Sequence, residues 1–405
     1  MKTKRLNFRG LLWTKSFADD IIFLLHVENI YEIIVYIVKV QYKECCMKKV
    51  MAILSMLFFV LVLNSCVIDT KYEDGSPLIP EMVFVKGGII EGKDYPWAPP
   101  VGNFPKGRRV QLSDFAIGKY EVTQEEYYSV MKDEVVSVTA YVDGVGERTA
   151  EFFVDSRPSF CKPNNPPYHC FEGENQERRP VEGITFYDAL WYCNVLSRKT
   201  GLEPVYKIKV LEVTSVNFSS HITSAEVEMI PGANGYRLPT ACEAEYAMRG
   251  GDPKAPDWDY LFSGAASEPG RERYSINKGL DPVGWYQYNN KTGISGTSDS
   301  DKENNTYYSY KGTHEVGKKK PNRLGLYDMS GNVSEYCYGK IDWTKKPKYS
   351  GELEINPVRI DETGNNRPSY GGSWNSGAIS VHSFADNPDS YSTDGIGFRV
   401  VRSGD

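Results

Sequence analysis

The chain has 405 residues, 40% of them hydrophobic, and a formal net charge of -6 at pH 7. That length exceeds one small domain and carries ample apolar content for a core. An acidic balance with no basic field excludes the cationic footprint of a nucleic-acid binder, and the one basic run, Lys318 to Lys320, reads as a solvated turn.

In chain order, residues 1 to 46 match nothing expected ahead of an export signal, and charges interrupt their apolar stretch. We read them as an upstream extension, with Met47 as the expected start. Residues 47 to 66, MKKVMAILSMLFFVLVLNSC, combine two lysines, an apolar run and a small-residue approach to a cysteine, the pattern of a secretory signal. The apolar run from Met51 to Leu63 is shorter than the roughly 20 residues that span a bilayer. A cysteine directly after Leu-Asn-Ser resembles a bacterial lipobox, although Asn64 departs from the usual small apolar residue. Cys66 is therefore the expected lipidated residue, and the cell envelope, at the outer membrane, the expected location. Residues 67 to 79 read as a flexible tether, and 80 to 405 as the domain.

Within the domain, residues 82 to 88 and 109 to 123 read as strands. Thr123 and Glu126 form a capping box that starts a helix over QEEYYSVM. Cys161 and Cys170 flank a Pro-rich loop and can close a disulfide or stay as thiols; five cysteines in the domain leave at least one unpaired. A second helix runs from Thr185 to about Lys199, with Phe186, Ala189, Leu190, Cys193 and Leu196 on one face and Gly201 as its stop. Alternation over 206 to 230 predicts an inserted hairpin. Thr240 and Glu243 box a third helix that ends on Gly250 and Gly251. Residues 367 to 374 and 397 to 403 close the set of strands. No repeat of 20 to 50 residues is present, so the class is one irregular, loop-rich α+β domain.

Seven stretches in order, MVFVKGG, FAIGKYEVTQEEY, RPVEGITFYDALWYCNVLS, GYRLPTACEAEYAMRGG, GLYDMSGNVSEY, YGGSW and IGFRVVRS, resemble the formylglycine-generating enzyme family, also called the sulfatase-modifying factor domain. The resemblance covers nearly everything from residue 80 onward. It implies a fold poor in regular structure and distantly like C-type lectins. Active members oxidise a cysteine of an unfolded sulfatase to formylglycine with oxygen and a copper ion held by two thiolates, because soft Cu(I) demands soft sulfur.

In this chain the two matching positions hold Ser376 and Val381, and no cysteine lies between Ser369 and Asp405. Copper is not expected, and no catalytic residue is assigned. Five histidines, His26, His169, His221, His314 and His382, are scattered without metal-ligand spacing. His314 reads as a surface or turn residue, and a Ser376, His382, Asp386 constellation lacks the strained elbow of a hydrolase. Ser373, Trp374, Ser376 and His382 are the candidate lining of the old peptide groove, with core packing as the alternative for Trp374. The resemblance implies a structural calcium held by Asp328, Glu335 and the backbone oxygens of Gly331 and Val333. The alternative is that Asp328 stabilises a turn and Glu335 pairs with an arginine. A second family calcium site falls in residues 277 to 290 without assignment by residue. Arg237, Glu245 and Arg249 are expected to form one internal ion-pair network. The reading that follows is a membrane-anchored binding or structural protein that takes a peptide or a glycan; a further reading, suggested by family lipoproteins of Bacteroidetes-like bacteria, is a component of an envelope assembly. An oxidase with unrecognised ligands is the opposing reading.

Overall fold

The computed structural model describes residues 76–94, 102–142, 145–162, 173–216, 219–266, 277–290, 312–342, 348–364, 366–378, 385–388 and 393–404. The expected signal with Cys66, the tether up to residue 75, and Cys170, Val381 and His382 lie outside them. Among the described residues no helix is long and apolar enough to cross a membrane.

The chain enters through β1 (Met82–Val85) and β2 (Gly88–Glu91), followed by β3 (Arg109–Leu112) and β4 (Phe115–Gly118). The strand expected over 109 to 123 is thus two strands. Asp114 breaks it: its carboxylate accepts Lys86 Nζ at 2.7 Å and the Gly87 amide at 2.9 Å, which turns the chain from one sheet into the next. Helix α1 (Gln124–Met131) follows, with the capping box between Thr123 and Glu126 present. An unexpected hairpin comes next, β5 (Val135–Val142) and β6 (Gly146–Phe153). Helix α2 (Phe186–Lys199) is boxed by Thr185 and Asp188, and Gly201 lies past its end at φ +73°. The hairpin expected over 206 to 230 is β7 (Tyr206–Val216) with β8 (Ser219–Met229). Helix α3 (Ala241–Met248) carries the box of Thr240 and Glu243.

The C-terminal strands are β9 (Ser334–Tyr336), β10 (Leu353–Ile355), β11 (Asn366–Tyr370), β12 (Ala385–Pro388), β13 (Ile396–Gly397) and β14 (Val401–Ser403). They combine with the first four into sheets ordered β1-β4-β14, β10-β3-β2 and β12-β11-β9-β13. Small sheets and, among the described residues, three α-helices joined by long loops make this the expected α+β class. The expected strand over 397 to 403 divides into β13 and β14, which belong to different sheets.

Two large apolar cores carry the domain. One joins α1, α2 and both hairpins, where Tyr127 stacks on Tyr192 with ring centroids 5.4 Å apart. The other joins α3 to the β1 and β2 sheets around Phe104, Phe115 and Trp258. A helix of eight residues such as α3 is too short to be stable alone, so this packing and its cap hold it. His221 of β8 is clamped to the start of α2: its Nδ1 lies 2.7 Å from Asp188 Oδ2, the same carboxylate that caps the helix. Burial opposes the charged ring, but the Asp188 hydrogen bond and charge outweigh it and raise the His221 pKa above its ordinary value.

Candidate functional site

Strand β11 delivers the chain to Gly371, whose φ of +89°, together with a Met329 carbonyl oxygen 3.2 Å from where a Cβ would sit, disfavours any side chain. The turn Ser373 to Ser376 then closes on itself. The Ser373 amide donates to Ser376 Oγ at 3.0 Å, the two hydroxyls lie 3.1 Å apart, and Ser373 Oγ reaches Asn375 Oδ1 at 2.6 Å. Trp374 is buried and donates Nε1–H to the Asp394 carbonyl at 2.7 Å, so it packs rather than lines an open groove. Of the four groove candidates, the structure brings Ser373, Trp374 and Ser376 together in one filled turn, while His382 lies outside the described residues.

Behind this turn sits Asn332, fully buried and in the left-handed region at φ +61°. Its neighbour Gly331, at φ +95°, passes so close to Trp285 that a Cβ would meet the Trp285 carbonyl oxygen at 2.1 Å. Asn332 ties five segments together. Its Oδ1 accepts the His314 amide, its Nδ2 donates to Glu121 Oε2, its own amide donates to the Trp285 carbonyl, and its carbonyl accepts the Trp374 amide, all between 2.7 and 2.9 Å. Non-glycine residues held at positive φ persist only where surrounding bonds over-determine them, and here they do.

His314, expected at the surface, is 4% exposed. Its Nδ1 lies 2.8 Å from Glu174 and its Nε2 3.0 Å from Asn290 Oδ1, and its ring stacks on Trp285 at 3.6 Å between centroids. Burial pushes the His314 pKa down despite Glu174. Lys319 Nζ stands 3.8 Å from the Trp285 ring centre. Asn290 in turn donates to the Gly312 carbonyl, and the Gln287 amide donates to the Ser376 carbonyl. Glu121, Glu174, Trp285, Asn290 and Asn332 were not singled out from sequence, although Glu121 and Asn332 lie inside motifs quoted above.

The residues for calcium are arranged around a guanidinium. Arg399, fully buried, donates Nε–H to Glu335 Oε2 at 2.5 Å and Nη2–H to Oε1 at 2.6 Å. Each Glu335 oxygen thus accepts one hydrogen bond from Arg399, which competes with a cation for the carboxylate. Asp328, at φ +55°, accepts the Gly317 amide on Oδ2 at 2.7 Å, while its buried Oδ1 has no hydrogen-bond partner among the described residues. Burial pushes the Asp328 carboxyl up to about 6. Among the described residues no group of three or more His, Cys, Asp or Glu is arranged to hold a metal ion. Asp328 Oδ1 is open to a cation, and Glu335 is held by Arg399.

Copper fits less well still. The donors on the turn are hydroxyls, and the described thiols, Cys161, Cys193, Cys242 and Cys337, are buried and unpaired. Burial raises all four, Cys242 to about 12, so they stand as protonated thiols rather than thiolates. Cys161 accepts the Thr313 amide at 3.5 Å; the disulfide alternative rests on Cys170, outside the described residues.

The expected single network on α3 is two separate pairs. Arg237 grips both oxygens of Glu243 at 2.7 Å, and Arg249 pairs with Glu245 at 2.8 Å. Arg237 precedes the helix and so reaches back to its first turn, whereas Arg249 lies one turn after Glu245. Beside the second pair lies a small crevice of about 20 Å³, room for about one water, lined by Glu245, Met248, Arg249, Phe262, Asn322 and Tyr370. Ser376 is not part of it.

The domain is loop-rich and α+β, and its chain turns through Gly-Gly-Ser-Trp over the buried Asn332 and Glu121. The description of the Sulfatase-modifying factor enzyme 1-like domain matches residues 70–404, and the chain belongs to this family. It is 31% identical over 356 residues to the chaperone protein LppX of Paenibacillus barcinonensis, covering 86% of this chain and 98% of that one. It is 28% identical over 306 residues to a formylglycine-generating enzyme of Thermomonospora curvata, covering 72% of this chain and 82% of that one. Among solved structures, Treponema denticola variable protein 1 superposes with a TM-score of 0.53 at 25% identity, covering 80% of this chain and 95% of that one.

Proposed function

We propose that this chain is an exported, lipid-anchored envelope protein whose domain binds extended polypeptide without carrying out a reaction on it. The observation that carries the reading is the Ser373 to Ser376 turn, where the Ser376 hydroxyl, bonded to Ser373, stands at one position of the copper-binding thiolate pair, the other position being Val381 in the sequence. A scaffold that keeps the family core and loses the metal donors retains shape and surface, and those suffice for recognition. Two further facts support polypeptide as the ligand. The resemblance implies that active members engage an unfolded protein, and the relative in Paenibacillus barcinonensis is named a chaperone protein. The signal over residues 47 to 66 and Cys66 support the envelope as the location.

The test is suppression of aggregation. Reduced lysozyme, added at equal molarity to the mature domain, scatters less light if the reading holds; scattering equal to that with serum albumin overturns it. A second reading, structural calcium, is favoured by the partnerless Asp328 Oδ1 alone. A cation there competes with Arg399 for Glu335, and a melting temperature unmoved between EDTA and millimolar calcium removes that reading.

A further inference from the structure

Among the described residues, strand β6 has an open edge: its hydrogen-bonded neighbour is β5 alone, and Glu147 to Phe153 are all exposed, Phe153 at 69%. Such an edge presents a row of backbone N–H and C=O groups that pairs with any extended strand. Proteins blunt such edges with lysine, proline or a bulge, and the neighbouring hairpin uses two of these. Its ladder is bulged between Val210 and Glu212, and Lys207 and Lys209 pair across it with Glu228 and Glu226. The GERTAEFF sequence of β6 has no lysine and no proline, and its register with β5 runs unbroken from Val135↔Phe153 to Val142↔Gly146. One hairpin carries lysines and a bulge; the other carries neither.

The side chains of β6 sort by parity. Glu147, Thr149, Glu151 and Phe153 share one face; Arg148, Ala150 and Phe152 share the other. On a strand added beside it, residues opposite Glu147 and Glu151 are best basic, and those opposite Ala150 and Phe152 best apolar.

We propose that the outer edge of β6 is a docking strand that captures an extended polypeptide segment through backbone hydrogen bonds, with preference for segments alternating basic and apolar residues. This rests on the polypeptide-binding reading above and names the surface and the ligand chemistry. Main-chain pairing supplies affinity irrespective of sequence, and the acidic face supplies selectivity.

The test uses the full domain and a fluorescein-labelled eight-residue Lys-Val repeat peptide, followed by anisotropy. The same peptide N-methylated at every residue, and a Glu-Val repeat, should each bind at least about tenfold more weakly. The exposed double variant Glu147→Lys with Glu151→Lys should reverse the preference between the Lys and Glu repeats, its fold checked by circular dichroism. Equal binding of the N-methylated peptide, no binding of any peptide, or an unreversed preference overturns the proposal. So does a concentration-dependent dimer displaced by the peptide, which makes a second copy the occupant. If the double variant changes nothing while the wild type still suppresses lysozyme aggregation, polypeptide binding stands and the β6 edge falls; if the wild type suppresses nothing, the broader reading fails.

Discussion

At Arg399 a fully buried guanidinium meets a buried carboxylate with two short hydrogen bonds, and its remaining donors reach the Gly118 and Tyr327 carbonyls. Replacing it with methionine leaves Glu335 buried and unpaired, so Arg399→Met should lower unfolding free energy by about 3–5 kcal/mol, read from urea titration. Loss under about 1 kcal/mol would mean Glu335 finds another cation. Two other buried groups set the pH response. His221, raised above its ordinary 6.5, contributes its pairing in full below that value and loses it as pH climbs past the raised one. Glu182, pushed by burial to about 8 while accepting the Phe160 and Cys161 amides, keeps its proton in the fold where the unfolded chain ionises near 4.5. Both effects run the same way, as does that of Asp328, raised to about 6, and together they oppose the smaller contrary effect of His314, which burial lowers. The melting temperature should fall between pH 5 and pH 8, less steeply in Glu182→Gln; a rise over that interval contradicts the assignment.

At the scale of elements, α3 owes its start to the reciprocal bonds between Thr240 and Glu243, and Thr240→Ala should cost about 1 kcal/mol by chemical denaturation, with the fold retained. The three helices were legible because a capping box is a local signal: residues three apart in sequence satisfy each other's amides wherever the helix is placed. Strands were legible only in part. The break at Ser113 and Asp114 is set by Lys86 and Gly87, some 27 residues earlier in the chain, which alternation over 109 to 123 cannot report. The β5–β6 hairpin escaped notice for another reason. Its second strand is exposed on both faces and carries no apolar stripe, so period-two patterning is silent, although Asp143-Gly144 is a turn signal. Glu335 was readable either as a metal ligand or as the partner of an arginine, and Arg399 stands 64 residues away. Nothing local decides between those two.

The whole molecule keeps what the family fold needs and differs where the family reaction needs sulfur. Asn332, Glu121 and the Gly-Gly turn lock Trp374 and Ser376 in place, and the same lock positions nothing soft enough for Cu(I). On the proposed reading the surface carries the function, and surface was the part of the chain least readable from sequence, since exposed residues answer to partners rather than to the core. The most direct measurement is oxygen consumption by the purified, copper-supplemented domain with a cysteine-containing peptide. The account predicts a rate equal to the buffer control and no aldehyde in the peptide by mass spectrometry. Catalytic oxygen uptake with conversion of the cysteine to formylglycine would contradict it.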